Sequence, residues 1–276
     1  MPDSPPADLA PEIADYYALA PEAGRLEQGP SQLEFARTLE LIERHAPPPP
    51  AAILDVGGGP GAYAIPLAER GYEVHLIDPV AGLVEEARRR SQRAPVPVTS
   101  CRVGDARHLE SESGEADLVL LLGPLYHLPD AGDRRQALAE AFRVLRPGGL
   151  LFAAGISRFA SAIDGLVRDL FRDPDFAAIV ERDLVSGQHR NPTDRLDYFT
   201  TAYFHHPEEL RRELAGAGFL VEGLYGLEGP GWMLQDFDRR WSDARTRSDL
   251  LRVARAVETE PSLLGLSAHL LGVARR

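Results

Sequence analysis

The chain has 276 residues, of which 44% are hydrophobic, and its formal net charge is −12. This length fits one large domain with insertions, or one domain plus a small cap. The single cysteine, Cys101, excludes a disulfide framework and a cysteine-based zinc site. The acidic balance disfavours a nucleic-acid substrate, which requires a basic surface. All 30 basic residues are arginines, which also excludes Schiff-base lysine chemistry.

The N-terminal segment is acidic and rich in proline, and it lacks the basic and apolar regions of a signal peptide. No apolar run approaches the ~20 residues that a membrane span needs. The sequence therefore predicts a cytoplasmic protein without a membrane partner. Residues 1–12 are expected to be disordered, and the apolar spacing over 13–46 predicts two helices that separate near Gly29 and Pro30.

The stretch 51–79 contains the clearest motif in the chain. An apolar run ends in a glycine-rich turn at 57–61, a helical pattern follows, and a second apolar run ends at Asp78. This order of strand, turn, helix and strand is a βαβ unit, in which glycines allow the backbone to approach a ligand. Asp78 lies 21 residues after Gly57, where an acid can accept hydrogen bonds from ribose hydroxyls. The motif predicts a cofactor that contains a nucleoside.

Strands and helices then continue to alternate. The patterns predict a helix over 80–92, strands over 98–103 and 117–122, a helix over 133–145 and a strand over 150–156. Such alternation predicts a doubly wound parallel sheet, which binds ligands at the carboxyl ends of its strands. The polar segments of the chain follow these strands, so the fold should gather them along one edge.

Four motifs taken together resemble the class I S-adenosylmethionine-dependent methyltransferases of the small-molecule type, similar to ubiquinone and menaquinone methyltransferases. They are Asp55-x-Gly57-x-Gly59-x-Gly61, Asp78 after the second strand, Gly104-Asp105-Ala106 after the third, and RVLRPGG at 143–149. The glycine turn alone also satisfies a dinucleotide fingerprint, so an NAD-type enzyme and a non-catalytic nucleoside binder stay open as alternatives. The resemblance implies a seven-stranded, mostly parallel Rossmann-like sheet, with an antiparallel last strand and helical lid insertions.

The resemblance also implies S-adenosylmethionine as the cofactor and assigns roles to particular residues. Asp78 would hold the ribose hydroxyls, Asp105 would accept from the adenine amine, and the Ala106 N–H would donate to the ring. Asp55 would bind the amino group of the cofactor or support the glycine loop. The complete set of expected cofactor-binding residues is Asp55, Gly57, Gly59, Gly61, Asp78, Asp105, Ala106, Gly123, Tyr17 and Arg25.

Two residues after the fourth strand are candidates for catalysis. Methyl transfer from a sulfonium is an in-line displacement, and it needs a base only when the acceptor must lose a proton. His127 is the candidate base because an unperturbed histidine titrates near neutral pH. Its alternative role is a hydrogen bond to a neighbouring loop. Tyr126 is expected to shape the pocket, because its reference pKa is ~10.

The resemblance divides the chain into four parts. They are an N-terminal helical cap at 1–50, a cofactor-binding core at 51–157, a lid insertion at 158–206, and a C-terminal part at 207–276 with a helical insertion at 229–261. The candidates for the substrate pocket are Tyr198, Tyr203, His205 and Trp232. Adjacent histidines in a strand point to opposite faces, so His205 and His206 do not suggest a metal site, and no metal is expected.

The predicted function is transfer of a methyl group to an O, N or C atom of a small-molecule acceptor. Two alternatives stay open: a non-catalytic module that binds S-adenosylmethionine, and a methyltransferase directed at protein or RNA. The sequence is also compatible with a homodimer and does not determine the oligomeric state.

Overall fold

A computed structural model describes residues 10–19 and 24–276. The disorder expected for residues 1–9 lies outside the described residues, whereas Pro11 and Glu12, expected to be disordered, are in a helix. Among these residues, no helix is both long and apolar enough to cross a membrane. The helices of the described part are α1 (Pro11–Leu19), α2 (Ser31–His45), α3 (Ala64–Glu69), α4 (Ala81–Arg93), α5 (Ala131–Val144), α6 (Ala160–Arg168), α7 (Pro174–Ser186), α8 (Pro207–Gly216), α9 (Phe237–Ser242) and α10 (Ala244–Val257).

One mixed sheet of nine strands forms the centre of the molecule. The strands are β1 (Ala52–Val56), β2 (Glu73–Asp78), β3 (Ser100–Val103), β4 (Ala116–Leu121), β5 (Leu145–Ser157), β6 (Gln188–His189), β7 (Ala202–His205), β8 (Leu220–Gly226) and β9 (His269–Arg275). Strands β3, β2, β1, β4 and β5 are parallel neighbours in that order. Strand β9 runs antiparallel between β5 and β8. The predicted doubly wound sheet with an antiparallel last strand is confirmed, but it has nine strands rather than seven, because β6 and β7 extend it beyond β5.

The alternation of side chains along β1 and β4 explains why helices cover both faces of the sheet. Ile53 packs in one apolar cluster with residues of α2, α3 and α4, whereas Leu54 packs in the other with residues of α5 and α8. Strand β4 is buried on both faces, as its continuous apolar run predicts. The resulting three layers place the carboxyl ends of β1, β2 and β4 along one edge.

The segment between β5 and α8 adds two short strands to this frame. Strand β7 pairs in parallel with Ile156 and Ser157, beyond Ala153, the last residue of β5 that β4 contacts. Helices α6 and α7 precede these strands. The N-cap of α7 is Asp173, whose side chain accepts a hydrogen bond from the Asp175 N–H over 2.9 Å. This segment therefore continues the sheet at the edge where the polar loops gather.

Candidate functional site

A cavity of about 1190 Å³, including its open side, lies at the carboxyl ends of β1, β2 and β4. We call it the cofactor cavity. Its wall contains most of the residues that the sequence assigns to cofactor binding, namely Asp55, Gly57, Gly59, Asp78, Asp105, Ala106, Gly123, Tyr17 and Arg25. Gly61 is not among the residues that line it. It lies in the turn that leads into α3, where its N–H bonds to the Gly58 carbonyl over 3.0 Å.

The glycine turn after β1 depends on backbone geometry that a side chain would disrupt. Gly57 has φ +74°, and a Cβ there would lie 2.6 Å from Cδ of Pro124. Only glycine adopts this conformation without strain. The Gly59 N–H donates to Asp78 Oδ2 over 2.8 Å, and the Val80 N–H donates to Asp78 Oδ1 over 2.8 Å. Asp78 thus joins the glycine turn to the end of β2.

Asp105 lies beside an arginine that the sequence analysis did not identify. Arg107 Nη2 is 2.6 Å from Asp105 Oδ2, and Arg107 Nη1 is 3.0 Å from Asp133 Oδ2. Burial acts to raise the pKa of Asp105, but hydrogen bonds from Arg107 outweigh burial and lower it. Asp105 therefore stays ionised at the cavity wall, with Arg107 lining the same wall.

Asp55 is the most deeply buried of the acids that line the cofactor cavity, with a relative exposure of 1% against 5% for Asp78. Its Oδ2 atom has no hydrogen-bond partner within the described part of the chain. Burial and, to a smaller extent, the nearby Asp78 raise its pKa to about 7 against the opposing effect of a backbone hydrogen bond from Ala64. A buried carboxylate oxygen without a partner is costly, and a bound cationic group would satisfy it. The carboxylates of Asp55 and Asp78 are hydrogen-bond acceptors that fit a cofactor with an ammonium group and ribose hydroxyls.

A second cavity of about 950 Å³, including its open side, adjoins the first. We call it the acceptor cavity. Tyr17, Arg25 and Tyr126 line both cavities. Half of the sixteen residues of its wall are aromatic, namely Tyr16, Tyr17, Tyr126, Phe176, Tyr198, Phe199, Phe204 and Trp232. The chain as a whole is 7% aromatic, so the wall is strongly enriched.

His127 and Tyr17 form a hydrogen-bonded pair where the two cavities meet. Tyr17 Oη is 2.6 Å from His127 Nε2. Burial and, to a smaller extent, Arg25 lower the pKa of His127 to about 4 against the opposing effect of the Thr201 backbone. The imidazole is therefore neutral at pH 7, and its Nε2 can accept the Tyr17 hydroxyl proton. Its Nδ1 atom has no hydrogen-bond partner in the part of the chain that the structure describes. Tyr126, the other predicted catalytic residue, donates its hydroxyl to the Leu122 carbonyl over 3.0 Å.

The structure places two of the four candidates for the substrate pocket in the acceptor cavity. Tyr198 and Trp232 line it. Tyr203 and His205 line neither cavity. The physical reason is strand alternation, because Phe204 faces the acceptor cavity and its two neighbours in β7 point to the opposite face. There Arg134 lies 3.7 Å from the centre of the Tyr203 ring, and His205 Nε2 is 3.2 Å from Glu213 Oε2.

A cluster of ionisable residues at the acceptor cavity also escaped the sequence analysis. Glu34, Glu228 and His269 each bring one potential ligand atom within 4.8 Å of the others, a spacing that could hold a metal ion. His269 lines the acceptor cavity. No motif marks these residues, because 194 positions of sequence separate Glu34 from Glu228.

Comparison with known proteins gives the same family as the motifs. Residues 53–149 match a model described as a methyltransferase domain. The ubiquinone biosynthesis O-methyltransferase of Xanthomonas axonopodis is 31% identical over 199 residues, which are 70% of this chain and 73% of that protein. The ubiquinone biosynthesis O-methyltransferase of Azorhizobium caulinodans is 32% identical, over 63% of this chain and 61% of that protein. The chain thus spans somewhat under two thirds of this second relative.

Solved structures agree at the level of the fold. A methyltransferase from Methanosarcina mazei matches with a TM-score of 0.57 and 19% identity, over 86% of this chain and 96% of that one. A methyltransferase from Mesorhizobium loti matches with a TM-score of 0.58 and 18% identity, over 88% of this chain and 100% of that one. The chain belongs to the class I S-adenosylmethionine-dependent methyltransferases, a family of transferases whose cofactor is S-adenosylmethionine.

Proposed function

We propose that this chain transfers the methyl group of S-adenosylmethionine to a small-molecule acceptor by in-line displacement. The observation that carries this proposal is the common wall of the two cavities, formed by Tyr17, Arg25 and Tyr126. An acceptor in one cavity would face a methyl donor in the other. Because the leaving group of a sulfonium is already activated, such alignment supplies much of the rate enhancement.

The residues of the cofactor cavity have distinct proposed roles. Asp78 accepts hydrogen bonds from the ribose hydroxyls, while Asp105 and the Ala106 N–H recognise adenine. Asp55 accepts from the ammonium group, and the unpaired state of its Oδ2 supports this assignment. The backbone at Gly57 and Gly59 leaves room for the methionine part. When bound, the cofactor supplies a methyl group on a positively charged sulfur.

His127 and Tyr126 position other groups and do not transfer protons. His127 stays neutral above pH 6, because burial lowers its pKa to about 4. It holds the Tyr17 hydroxyl at the junction of the cavities, 2.6 Å away. Tyr126 forms part of the wall between donor and acceptor. Arg25 lines both cavities and is bonded to Glu34 over 3.0 Å, so we assign it to the same wall.

An oxygen is the favoured acceptor atom over nitrogen or carbon. The similar proteins from Xanthomonas, Azorhizobium and Geobacter sulfurreducens are all named as O-methyltransferases. The net charge of −12 disfavours a nucleic-acid acceptor. Residues 1–50 act as a cap and residues 158–206 as a lid over the acceptor, since each segment contributes residues to the acceptor cavity. The protein acts in the cytoplasm.

Calorimetry with S-adenosylmethionine and S-adenosylhomocysteine tests the cofactor site, with Asp78→Ala as the variant expected to lose binding. Turnover is then measured with deuterated-methyl cofactor and mass spectrometry over phenols, catechols, carboxylic acids, amines and thiols. Failure of the wild-type protein to bind either form of the cofactor would contradict the proposal. Binding without turnover on any acceptor would favour a non-catalytic module. Sedimentation analysis of the same preparation would establish whether a homodimer forms.

A further inference from the structure

His269 forms a fixed pair with a buried glutamate at the wall of the acceptor cavity. Its Nδ1 atom is 2.6 Å from Oε1 of Glu228, whose relative exposure is 2%. The other carboxylate oxygen of Glu228 accepts from Ser267 Oγ over 2.6 Å and from the His269 backbone N–H over 3.1 Å. Because Ser267 and the His269 backbone hold Glu228 in place, its carboxylate fixes the ring of His269 with the Nδ1 proton directed at it.

The charges around His269 favour its protonated form. Glu34 of α2 has its Oε2 atom 3.7 Å from His269 Nδ1, and Arg25 donates to the same oxygen over 3.0 Å. Arg25 thus compensates one of the two carboxylates, and His269 can compensate the other. Burial acts to lower the pKa of His269, but Glu34 and Glu228 outweigh burial and raise it to about 9, with Arg25 acting against them.

The second ring nitrogen is available for a ligand. No hydrogen bond to His269 Nε2 occurs among residues 10–19 and 24–276. The side chain is 22% exposed, and the residue is part of the acceptor-cavity wall. The acids of that wall, Asp164 and Asp197, are bonded to Arg168 over 3.0 and 3.2 Å. His269 is therefore the ionisable group of this wall that has both a fixed orientation and an unused nitrogen.

We propose that His269, oriented by Glu228, takes the proton of an aromatic hydroxyl acceptor during methyl transfer. This inference rests on the proposed function and names the class of its acceptor. The aromatic wall fits a flat ring, because stacked or edge-to-face rings attract one another beyond the burial of their surface. A phenol or catechol has such a ring and a hydroxyl that must lose its proton.

During methyl transfer the acceptor oxygen forms a bond to the methyl carbon, and the electron pair of the carbon–sulfur bond stays on the sulfur. In the neutral form of His269, which has first lost its own Nε2 proton to solvent, the hydroxyl proton passes to Nε2 and leaves to solvent after the product departs. The positive charge of the sulfonium is thereby replaced by one released proton.

A metal ion at Glu34, Glu228 and His269 is the competing assignment. The three ligand atoms lie within 4.8 Å of one another. A divalent cation there would have to displace Arg25 from Glu34 and the proton from His269 Nδ1. The hydrogen bonds of this cluster already satisfy the oxygens that a cation would need, so we favour the proton-transfer role. The experiment includes this alternative as an outcome.

The test measures kcat/KM against pH with catechol and with the more acidic 4-nitrocatechol, at saturating S-adenosylmethionine. The wild-type rate should rise up to about pH 9, as the neutral form of His269 becomes populated. His269→Gln should lower the rate with catechol by about 100-fold, the range of general base catalysis, and by less with 4-nitrocatechol, which needs less help to ionise. Glu228→Gln should move the ascending limb to lower pH, since it removes the charge that raises the pKa of His269. If the ascending limb instead reflected ionisation of the acceptor, its position would be the same in this variant as in the wild type.

His205→Gln is the matched control, because His205 pairs with Glu213 outside both cavities and its replacement should leave the pH profile unchanged. The affinity for S-adenosylhomocysteine reports whether each variant is folded. If His269→Gln does not fold, the pH profile of Glu228→Gln tests the inference instead. An unchanged profile in the folded variants overturns the inference. So does turnover restricted to amines or thiols, or activity that EDTA abolishes and Mg²⁺ restores. Absence of cofactor binding by the wild-type protein would instead remove the proposed function.

Discussion

Replacement of Asp55 by asparagine tests the electrostatics of the cofactor cavity most directly. The carboxyl group of Asp55 has a pKa of about 7 in the folded chain, against a reference value of 3.8. The folded state therefore binds the proton more tightly than the unfolded state does. A raised carboxyl pKa gives stability at low pH that is lost as the pH rises from about 4 to 7. The Asp55→Asn variant would not show this loss, since an amide does not titrate.

The magnitude follows from the two pKa values. One pKa unit corresponds to about 1.36 kcal/mol, so ionisation of Asp55 costs the wild-type protein about 2 to 3 kcal/mol more at pH 8 than at pH 5. The free energy of unfolding of Asp55→Asn should thus rise relative to wild type by about 2 to 3 kcal/mol between these pH values. Urea unfolding without cofactor measures the difference. Asp194→Asn, at an exposed position, is the control and should show no such trend.

Cofactor binding adds a second readout to this experiment. An ammonium group at Asp55 would lower its pKa, so binding of S-adenosylhomocysteine near pH 7 should release about half a proton. Calorimetry in buffers of different ionisation enthalpy measures that proton, and Asp55→Asn should not release it. If the stability difference between variant and wild type were the same at pH 5 and pH 8, the reasoning about Asp55 would be refuted.

Three other substitutions test the geometry of the site. Gly57→Ala should weaken S-adenosylhomocysteine binding at least tenfold by calorimetry, because its Cβ would collide with the proline ring opposite; Gly82→Ala, in open space, should not. His127→Asn should slow turnover about threefold to tenfold through loss of the Tyr17 hydrogen bond, without a change in the pH profile above pH 6; a limb near pH 6.5 that vanishes would contradict this. Phe199 has φ +67°, a conformation that favours glycine. The free energy of unfolding in urea should therefore be about 1 kcal/mol higher for Phe199→Gly than for Phe199→Ala, and equal values would show that the backbone is unstrained.

Sequence reasoning predicted the frame of the fold because strands buried on both faces are apolar without interruption. The run at 117–122 corresponds to β4, and the helix predicted at 80–92 corresponds to α4. The Pro-Gly-Gly of 147–149 was expected to lie before a strand, but it lies within β5, which begins at Leu145. A boundary of this kind depends on the partner strand, since Leu145 pairs with Ala116 across an irregular step in the register.

The sequence placed more of the expected residues in the cofactor cavity than in the acceptor cavity. The residues that line the cofactor cavity follow the ends of parallel strands, where short motifs mark them in the sequence. The lining of the acceptor cavity depends on strand alternation and on residues distant in the sequence. An aromatic run such as 203–206 does not reveal that Phe204 faces the cavity while Tyr203 and His205 face away. The sequence also did not reveal that Arg107 contacts Asp133, because Asp133 belongs to α5, which is distant in the sequence.

His127 of the cofactor cavity and His269 of the acceptor cavity show why residue type alone does not define a catalytic role. His127 has the expected position after the fourth strand, yet its buried ring faces the neutral hydroxyl of Tyr17, and its pKa falls to about 4. His269 has no motif, yet Glu228 and Glu34 raise its pKa to about 9. The same imidazole is thus neutral in one place and positively charged in the other at pH 7. Since carboxylates from other elements produce the difference, only the folded chain reveals which histidine can exchange a proton with an acceptor.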